Sequence, residues 1–400
     1  MRKVAFLLLW FYAFTLPWDY ILQFGEPIGS AGRVAGLLAL AGCVALVATF
    51  GRMRRLNAFH IAAAVYLGIV ALSVFWTADP QNTPHAVRVY VQSMMVVWLL
   101  WELGSNRRAL FHFALAYVGG AYVAALSVFR TFSMKALAPG AKEARFAADN
   151  WDVNDIAFVL ALAIPLSLYL TSKRTHWTST WLARAYLILG PMAIVLTSSR
   201  SGAVVAAIAL GSLPLFLRRQ TAPAKLAMVL VLACAAYLAW NYAPQQSWDR
   251  LSTLYSSIRA GDLNGRELTW RTGLRAFGSN CLAGVGAGAF QSGVGTSYSA
   301  HNTFLAVLVE QGLVGFSVFS VILGGAIYSI TRLRGEERRM CVILLLCWAV
   351  GAFMLDWAMN RVTWFVLAFV VSCGNADQHA PQRLDPEVAG GATPLAEGRV

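Results

Sequence analysis

Apolar residues in this 400-residue chain come in blocks, not in alternation. The blocks are roughly 17–25 residues long, the length an α-helix needs to cross the hydrocarbon core of a bilayer. The period-2 alternation of a membrane barrel is weak throughout, so the blocks predict helices. Candidate spans fall at 4–24, 33–50, 58–76, 86–102, 109–130, 154–171, 181–198, 201–217, 224–240, 301–331, 340–356 and 361–373. The predicted fold class is therefore all-α, a polytopic integral membrane protein with about 12 transmembrane helices.

Two inter-span segments are too long to be turns. The first, 131–153, carries Lys135, Lys142 and Arg145 with Asp149 and Asp152, and Asp155 lies just beyond it. The second, 241–300, has amphipathic stretches at Trp248 to Ala260 and Arg266 to Phe277, which predict short helices lying on the membrane surface. Its tail from Gly284 to Ser299 is rich in Gly and Ser and leads into His301. The organisation read from this pattern is 1–130 as N-terminal transmembrane helices, 131–153 as a loop, 154–240 as helices containing the Arg200 turn, 241–300 as a large loop, 301–373 as C-terminal transmembrane helices, and 374–400 as a disordered tail.

Composition agrees with this reading and excludes a water-soluble core: 58% of residues are hydrophobic and 13% charged, against about 25% charged in soluble domains. The net charge of +13 would suggest nucleic acid in a soluble protein. Its distribution gives another meaning. Arg2-Lys3, Arg54-Arg55, Arg107-Arg108, Lys173-Arg174, Arg218-Arg219 and Arg338-Arg339 mark every second connection, while the short loops around Gly25 to Ala31 and Thr77 to His85 carry no Lys or Arg. This positive-inside register places both termini in the cytoplasm and the two long loops in the periplasm of a bacterial inner membrane, with no nucleic-acid partner required. The first span lacks a small-residue cleavage site and reads as a retained helix. Of the cysteines only Cys281 falls in an outer loop, so no intramolecular disulfide is expected. Trp18, Trp76, Trp101, Trp240 and Trp364, near span ends, suit an interfacial belt.

Walker A, His-Glu-x-x-His, Cys-x-x-Cys and Ser-x-x-Lys motifs are all missing. Gly284 to Ala289 formally fits G-x-G-x-x-A, but without a βαβ context it reads as a flexible turn. What remains is a set of basic residues at outer helix ends, where the positive-inside bias disfavours them. Arg200 sits in a tight Ser199-Arg-Ser-Gly202 turn, Arg266 follows Gly265 and precedes Trp270, Arg88 lies just inside the fourth span, and His301-Asn302 opens the tenth. Arg33, Arg130, Arg259 and Arg361 are expected only to snorkel to lipid phosphate. A turn as tight as that of Arg200 cannot easily reach away from the protein, and its planar fork suits the oxygens of a pyrophosphate. A histidine at a helix start is ordinarily an interfacial polar group, but arginines around His301 would hold its imidazole neutral, as a general base requires. Glu310 lies roughly 13 Å into its span. A carboxyl at that depth faces protein or a cavity, so a structural pairing with a hydroxyl or an arginine is expected, with Gly312 and Gly315 permitting close contact or a helix break.

These motifs together, the Ser-Arg-Ser-Gly turn, Gly265-Arg266 with Trp270, Gly284 to Phe290, and above all His301-Asn-Thr-Phe-Leu305 with Glu310-Gln-Gly-Leu-Val-Gly315, resemble the O-antigen ligase superfamily. That superfamily also holds O-antigen polymerases and some protein O-oligosaccharyltransferases. The motif-bearing part covers about residues 185–330. Within it the ligase is favoured. The resemblance implies transfer of an O-antigen polysaccharide from undecaprenyl pyrophosphate to lipid A–core on the periplasmic face, without metal or nucleotide cofactor. Carried over, Arg200 and Arg266 would hold the pyrophosphate, with Arg88 a weaker match, and His301 would serve the acceptor; Asn302 and Glu310 would support them. A polymerase would use nearly the same site on two lipid-linked glycans. A secondary transporter, the non-enzyme alternative, would place coupling charges in broken helices near the midplane, where only Glu310 qualifies.

Overall fold

The computed structural model describes residues 1–25, 28–135, 145–148, 151–173, 177–218, 220–260 and 266–376, of which 246 and 254–260 are described in backbone alone. Its helices are α1 (Arg2–Thr15), α2 (Ala31–Phe50), α3 (Ala58–Leu72), α4 (Thr83–Leu103), α5 (Arg107–Lys135), α6 (Val153–Ser172), α7 (Trp177–Thr197), α8 (Arg200–Gly211), α9 (Leu213–Leu217), α10 (Ala222–Tyr242), α11 (Gln245–Ala260), α12 (Arg266–Ser279), α13 (Phe290–Val294), α14 (Thr303–Thr331), α15 (Gly335–Met354) and α16 (Arg361–Gly374). Among the described residues, nine helices are long and apolar enough to cross a membrane, and α16 is a shorter apolar helix. The protein is an all-α, multi-pass membrane protein.

Local chemistry sets many of the helix starts. Ser30, Asn57, Asp152, Ser199, Asn302 and Asn360 each accept a backbone N–H from the first turn of α2, α3, α6, α8, α14 and α16, satisfying donors that a helix leaves orphaned. Five of these six caps, those of α2, α6, α8, α14 and α16, begin helices whose N-termini lie at one end of the bundle together with His301.

Several sequence expectations are corrected. The first span does not run through 4–24: α1 stops at Thr15, a 3-10 turn follows to Trp18, and Asp19 turns inward to accept the backbone N–H of Gly32 at 2.7 Å. Pro17, which has no N–H to continue a helix, sits in that turn. The loop expected from 131 begins later, because α5 continues to Lys135, and α10 likewise runs to Tyr242. Trp101 and Trp364 are buried rather than interfacial, donating to the carbonyls of Arg55 and Ala358. The 374–400 tail lies outside the described residues beyond 376, as do Gly265, Lys142, Asp149, Arg174, Arg219 and the Arg259 side chain.

The centre of the bundle is α6, with 83% of its apolar window buried against α5, α7, α8 and α15. Small residues allow this approach: a Cβ on Gly202 would collide with Ala157, and one on Gly351 with Phe158. Close backbone packing of this kind replaces the hydrophobic drive that lipid surroundings remove. At the opposite extreme, α10 lies along α7 with 11% of its window buried.

Candidate active site

The site is assembled at the shared end of α6, α8, α12 and α14. Between α7 and α8 the chain reverses in two residues, with Ser198 in the left-handed region at φ 52°. Each hydroxyl of this turn is tied down. Ser198 donates to Ser247 at 2.9 Å, Ser199 caps α8 through the N–H of Gly202 and donates to Asn154 Oδ1 at 2.9 Å, and the Arg200 guanidinium donates to Thr253 at 3.4 Å. Arg200 is thus the first residue of a helix whose start is bolted to α6 and α11. The segment 145–148 lies over the same turn, its Phe146 N–H bonding the Leu196 carbonyl, and Arg145 donates to the other side of Asn154 Oδ1 at 3.2 Å.

His301 is positioned from two directions. Trp270, one turn after Arg266 on α12, donates its indole N–H to the Ala300 carbonyl at 2.9 Å and packs edge-on against Phe353. Residues four apart share a helix face, so this bond brings the start of α12 over His301. On the other side Asn302 accepts the N–H groups of Phe304 and Leu305 at 3.0 and 3.1 Å. Asn302 therefore supports the site as the cap of α14. Between these anchors His301 adopts φ 45°, an uncommon value for a residue with a Cβ.

The glycine run is not a flexible turn. Val285, Ala287, Ala289 and Phe290 are buried, and the run lies in a cleft opened by a break in α14 at Gly312, where φ is 63° and ψ −169°. Val285 and Gly286 donate to the carbonyls of Val309 and Glu310, and Leu313 and Val314 donate back to those of Cys281 and Leu282. On the far face, Thr83 donates to the Ala287 carbonyl and Ser292 to Asp79. Glycine is required for this fit, since a Cβ at Gly312 would strike the Leu282 carbonyl and one at Gly284 the Glu310 backbone. Glu310 does have a structural partner, as expected, but it is neither a hydroxyl nor an arginine: its carboxyl accepts the Gly288 N–H at 2.9 Å. The run also packs Phe290 against Gly273 of α12, which joins this scaffold to the helix that carries Arg266.

Electrostatics reveal which cations converge. The basicity of His301 is lowered, first by burial and then by the Arg266 charge, with Asp152 opposing. That of Arg266 is lowered by burial and by Arg200, and that of Arg145 by burial, Arg250 and Arg200. Arg200 lowers the basicity of both Arg266 and Arg145, and Arg266 lowers that of His301, which is the signature of like charges held close. Asp152, the cap of α6, is the carboxylate acting on all three. Arg145 has a buried Nε without a partner among the described residues.

Of the residues singled out from sequence, Arg200, Arg266 and His301 thus come together. Arg88 is exposed on α4, and the charge interactions of Arg145, Arg266 and His301 do not involve it. Arg361, expected to snorkel, is instead paired with Asp19 and also donates to Ser30 at 3.2 Å and Gln92 at 3.3 Å. Arg145, Arg250, Asn154 and Asp152 join the site although the sequence reading gave them no role. The available signal for Arg145 and Arg250 was the same one used for Arg200, a basic residue in a segment that the charge pattern assigns to the outer side.

Residues 185–320 match the family model described as O-Antigen ligase. Over these residues the chain is similar to that family. No curated protein matches the chain. The matched region runs from α7 into α14 and so includes Arg200, Arg266, His301 and Glu310 but not Arg145, Asn154 or Asp152. This similarity supports glycosyl transfer of the ligase or polymerase type in general, with a lipid-linked polysaccharide as donor and a lipid as acceptor in a membrane.

Proposed function

We propose that this protein is an O-antigen ligase, transferring O-antigen polysaccharide from undecaprenyl pyrophosphate to a sugar of lipid A–core on the periplasmic face of the bacterial inner membrane. The observation that carries this reading is the convergence of Arg145, Arg200 and Arg266 near His301, with the basicity of the imidazole lowered by burial and by Arg266. The organisation that goes with it keeps 1–130, 154–240 and 301–373 as membrane sections and 131–153 and 241–300 as the segments between them.

In this mechanism the acceptor hydroxyl oxygen attacks C1 of the donor sugar while the C1–O bond to pyrophosphate breaks. Negative charge grows on the departing oxygen, and preorganised guanidinium groups of Arg200 and Arg266 stabilise it there. Arginine stays charged and binds phosphate oxygens bidentately, which supplies the stabilisation without a divalent metal. The acceptor proton passes to the neutral imidazole of His301. A single displacement inverts the anomeric centre. Asn302 and Glu310 act through the backbone, fixing the start of α14 and the glycine run. Arg88 is a weaker candidate for the donor's pyrophosphate.

The test is a deletion strain together with purified protein. The strain should make lipopolysaccharide with core but no polymer while lipid-linked polymer accumulates, and the protein should join polymer to lipid A–core with inversion and in the presence of EDTA. Short lipid-linked repeats accumulating in place of polymer would identify a polymerase. Orientation is checked with a natural reporter: Cys281 is exposed on the site side. In a Cys234→Ser background an impermeant maleimide should label it in intact cells with a permeabilised outer membrane, and labelling only after inner-membrane lysis would invert the topology.

A further inference from the structure

His301 holds φ 45°, a backbone value that a residue with a Cβ keeps only where its surroundings over-determine it. On its N-terminal side the hold is the Trp270 indole on the Ala300 carbonyl. On its C-terminal side it is Thr303, the first residue of α14, which is fully buried. The Thr303 hydroxyl donates to the Leu355 carbonyl at 2.7 Å and accepts the Trp357 N–H at 2.8 Å. Leu355 and Trp357 lie in the short connection from α15 to α16, and both are buried. How firmly α14 is clamped there depends on what holds Trp357.

Its indole N–H donates to Asp155 Oδ1 of α6 at 2.7 Å, its ring meets that of Phe158 at 4.3 Å between centroids, and its carbonyl accepts the hydroxyl of Thr363 on α16 at 2.7 Å. The bond to Asp155 is the one that reaches the cations. Asp155 and Asn154 are neighbours in the first turn of α6. Asn154 accepts from Arg145 and from Ser199, the cap of the helix that begins with Arg200. One turn of α6 thus holds the arginine segments through Asn154 and the start of α14 through Asp155. Packing alone would fill the space around residue 357, whereas the directed N–H···O bond also fixes its angle. We propose that Trp357 is a positioning residue of the transfer reaction, setting the reach of His301 toward the arginines through its bonds to Asp155 and Thr303. The proposal rests on the reading of His301 as the base. A reacting group misplaced by about 1 Å costs on the order of 100-fold in rate. The tie therefore acts on turnover and leaves the ligands of the donor's pyrophosphate in place.

The experiment measures kcat and donor KM of the full chain in detergent, with lipid-linked polymer and lipid A–core as substrates, alongside the unfolding temperature. Trp357→Phe keeps an aromatic ring against Phe158 and loses the indole N–H. It should lower kcat by about 10- to 100-fold and leave donor KM unchanged. Asp155→Ala should do the same and gives the test independently if Trp357→Phe folds poorly. Because both changes remove one bond, the double variant should be no slower than the slower single variant. Asp155→Asn, whose amide oxygen still accepts the N–H, should recover most of the rate lost in Asp155→Ala. A wild-type kcat in Trp357→Phe, a loss confined to donor KM, or losses that multiply in the double variant would each overturn the proposal. His301→Ala, assayed in parallel, separates that result from failure of the base: near-normal transfer there would overturn the reading of His301 and the proposal with it, whereas an inactive His301→Ala beside a fully active Trp357→Phe would overturn the proposal alone.

Discussion

Arg361 and Arg266 belong to the same end of the bundle and are both largely withdrawn from solvent, but their surroundings are opposite. Arg361, 15% exposed in its side chain, is met by the Asp19 carboxylate, the Ser30 hydroxyl and the Gln92 amide. Asp19 in turn accepts the Gly32 N–H at the start of α2, so α1, α2, α4 and α16 are joined through one compensated charge. Arg266 meets Arg200 and His301, with Asp152 as the carboxylate acting on it. Compensated charge fastens helices. Cations gathered around a single carboxylate are the arrangement that the proposed anion-binding role requires, and the backbone beneath them is braced by the caps of α6, α8 and α14.

The sharpest way to break this comparison is to remove the proposed base from the arginine cluster. His301→Ala should insert and fold, still bind the lipid-linked donor, and transfer slower by about 10²–10⁴-fold, the usual contribution of a positioned general base. Near-normal transfer would end that role, and lost donor binding would make His301 a pyrophosphate ligand instead.

The complementary change empties the compensated site. Asp19→Asn leaves Arg361 buried without its counter-charge and should cost about 3–5 kcal/mol of stability, read as a lowered unfolding temperature in detergent. Transfer per folded molecule should be little changed. A variant that is stable but inactive would move Asp19 from fastening to function.

Within the cluster, shape should matter as well as charge. Arg200→Lys and Arg266→Lys keep the cation but lose the fork, and each should reduce transfer by about 10- to 100-fold, the loss of a charge-assisted hydrogen bond worth roughly 1.5–3 kcal/mol. Lysine variants that work normally would show the cations acting as point charges.

The smallest expected effect is on pH. Burial and Arg266 hold the His301 pKa below the ordinary value, so its neutral, base-competent form persists below that value and is lost only as pH falls through the lowered pKa. Asp152→Asn preserves the cap of α6 but removes the carboxylate that opposes the lowering, so the acid limb of the rate should move to still lower pH, by less than about one unit. A limb that moved upward would place Asp152 elsewhere than beside the imidazole.

How much of this could be read from sequence follows the same division. Arg200, Arg266 and His301 stood out because each breaks a local expectation, a cation or an imidazole where the membrane bias disfavours it. Arg145 broke the same expectation but was hidden in a segment of mixed charge, and only its bond to Asn154 across the 197–202 turn reveals its place. Arg361 was misread because its partner is 342 residues away in sequence. The glycine run was misread because composition shows only that the backbone can bend. Whether a neighbour holds it depends on the break at Gly312 and the hydrogen bonds that fill it.

The sequence by itself determined what depends on a window of about 20 residues, the length over which hydrocarbon demands an unbroken helix: the helical class, most of the spans, and the caps that begin several of them. The first span escaped it, because Asp19 is drawn inward by Gly32 and Arg361. Tertiary structure decided which buried charges are paired and which are left facing one another, because electrostatic energy depends on separation in space. Residues 19 and 361, or 145, 200, 266 and 301, become neighbours only when the bundle closes.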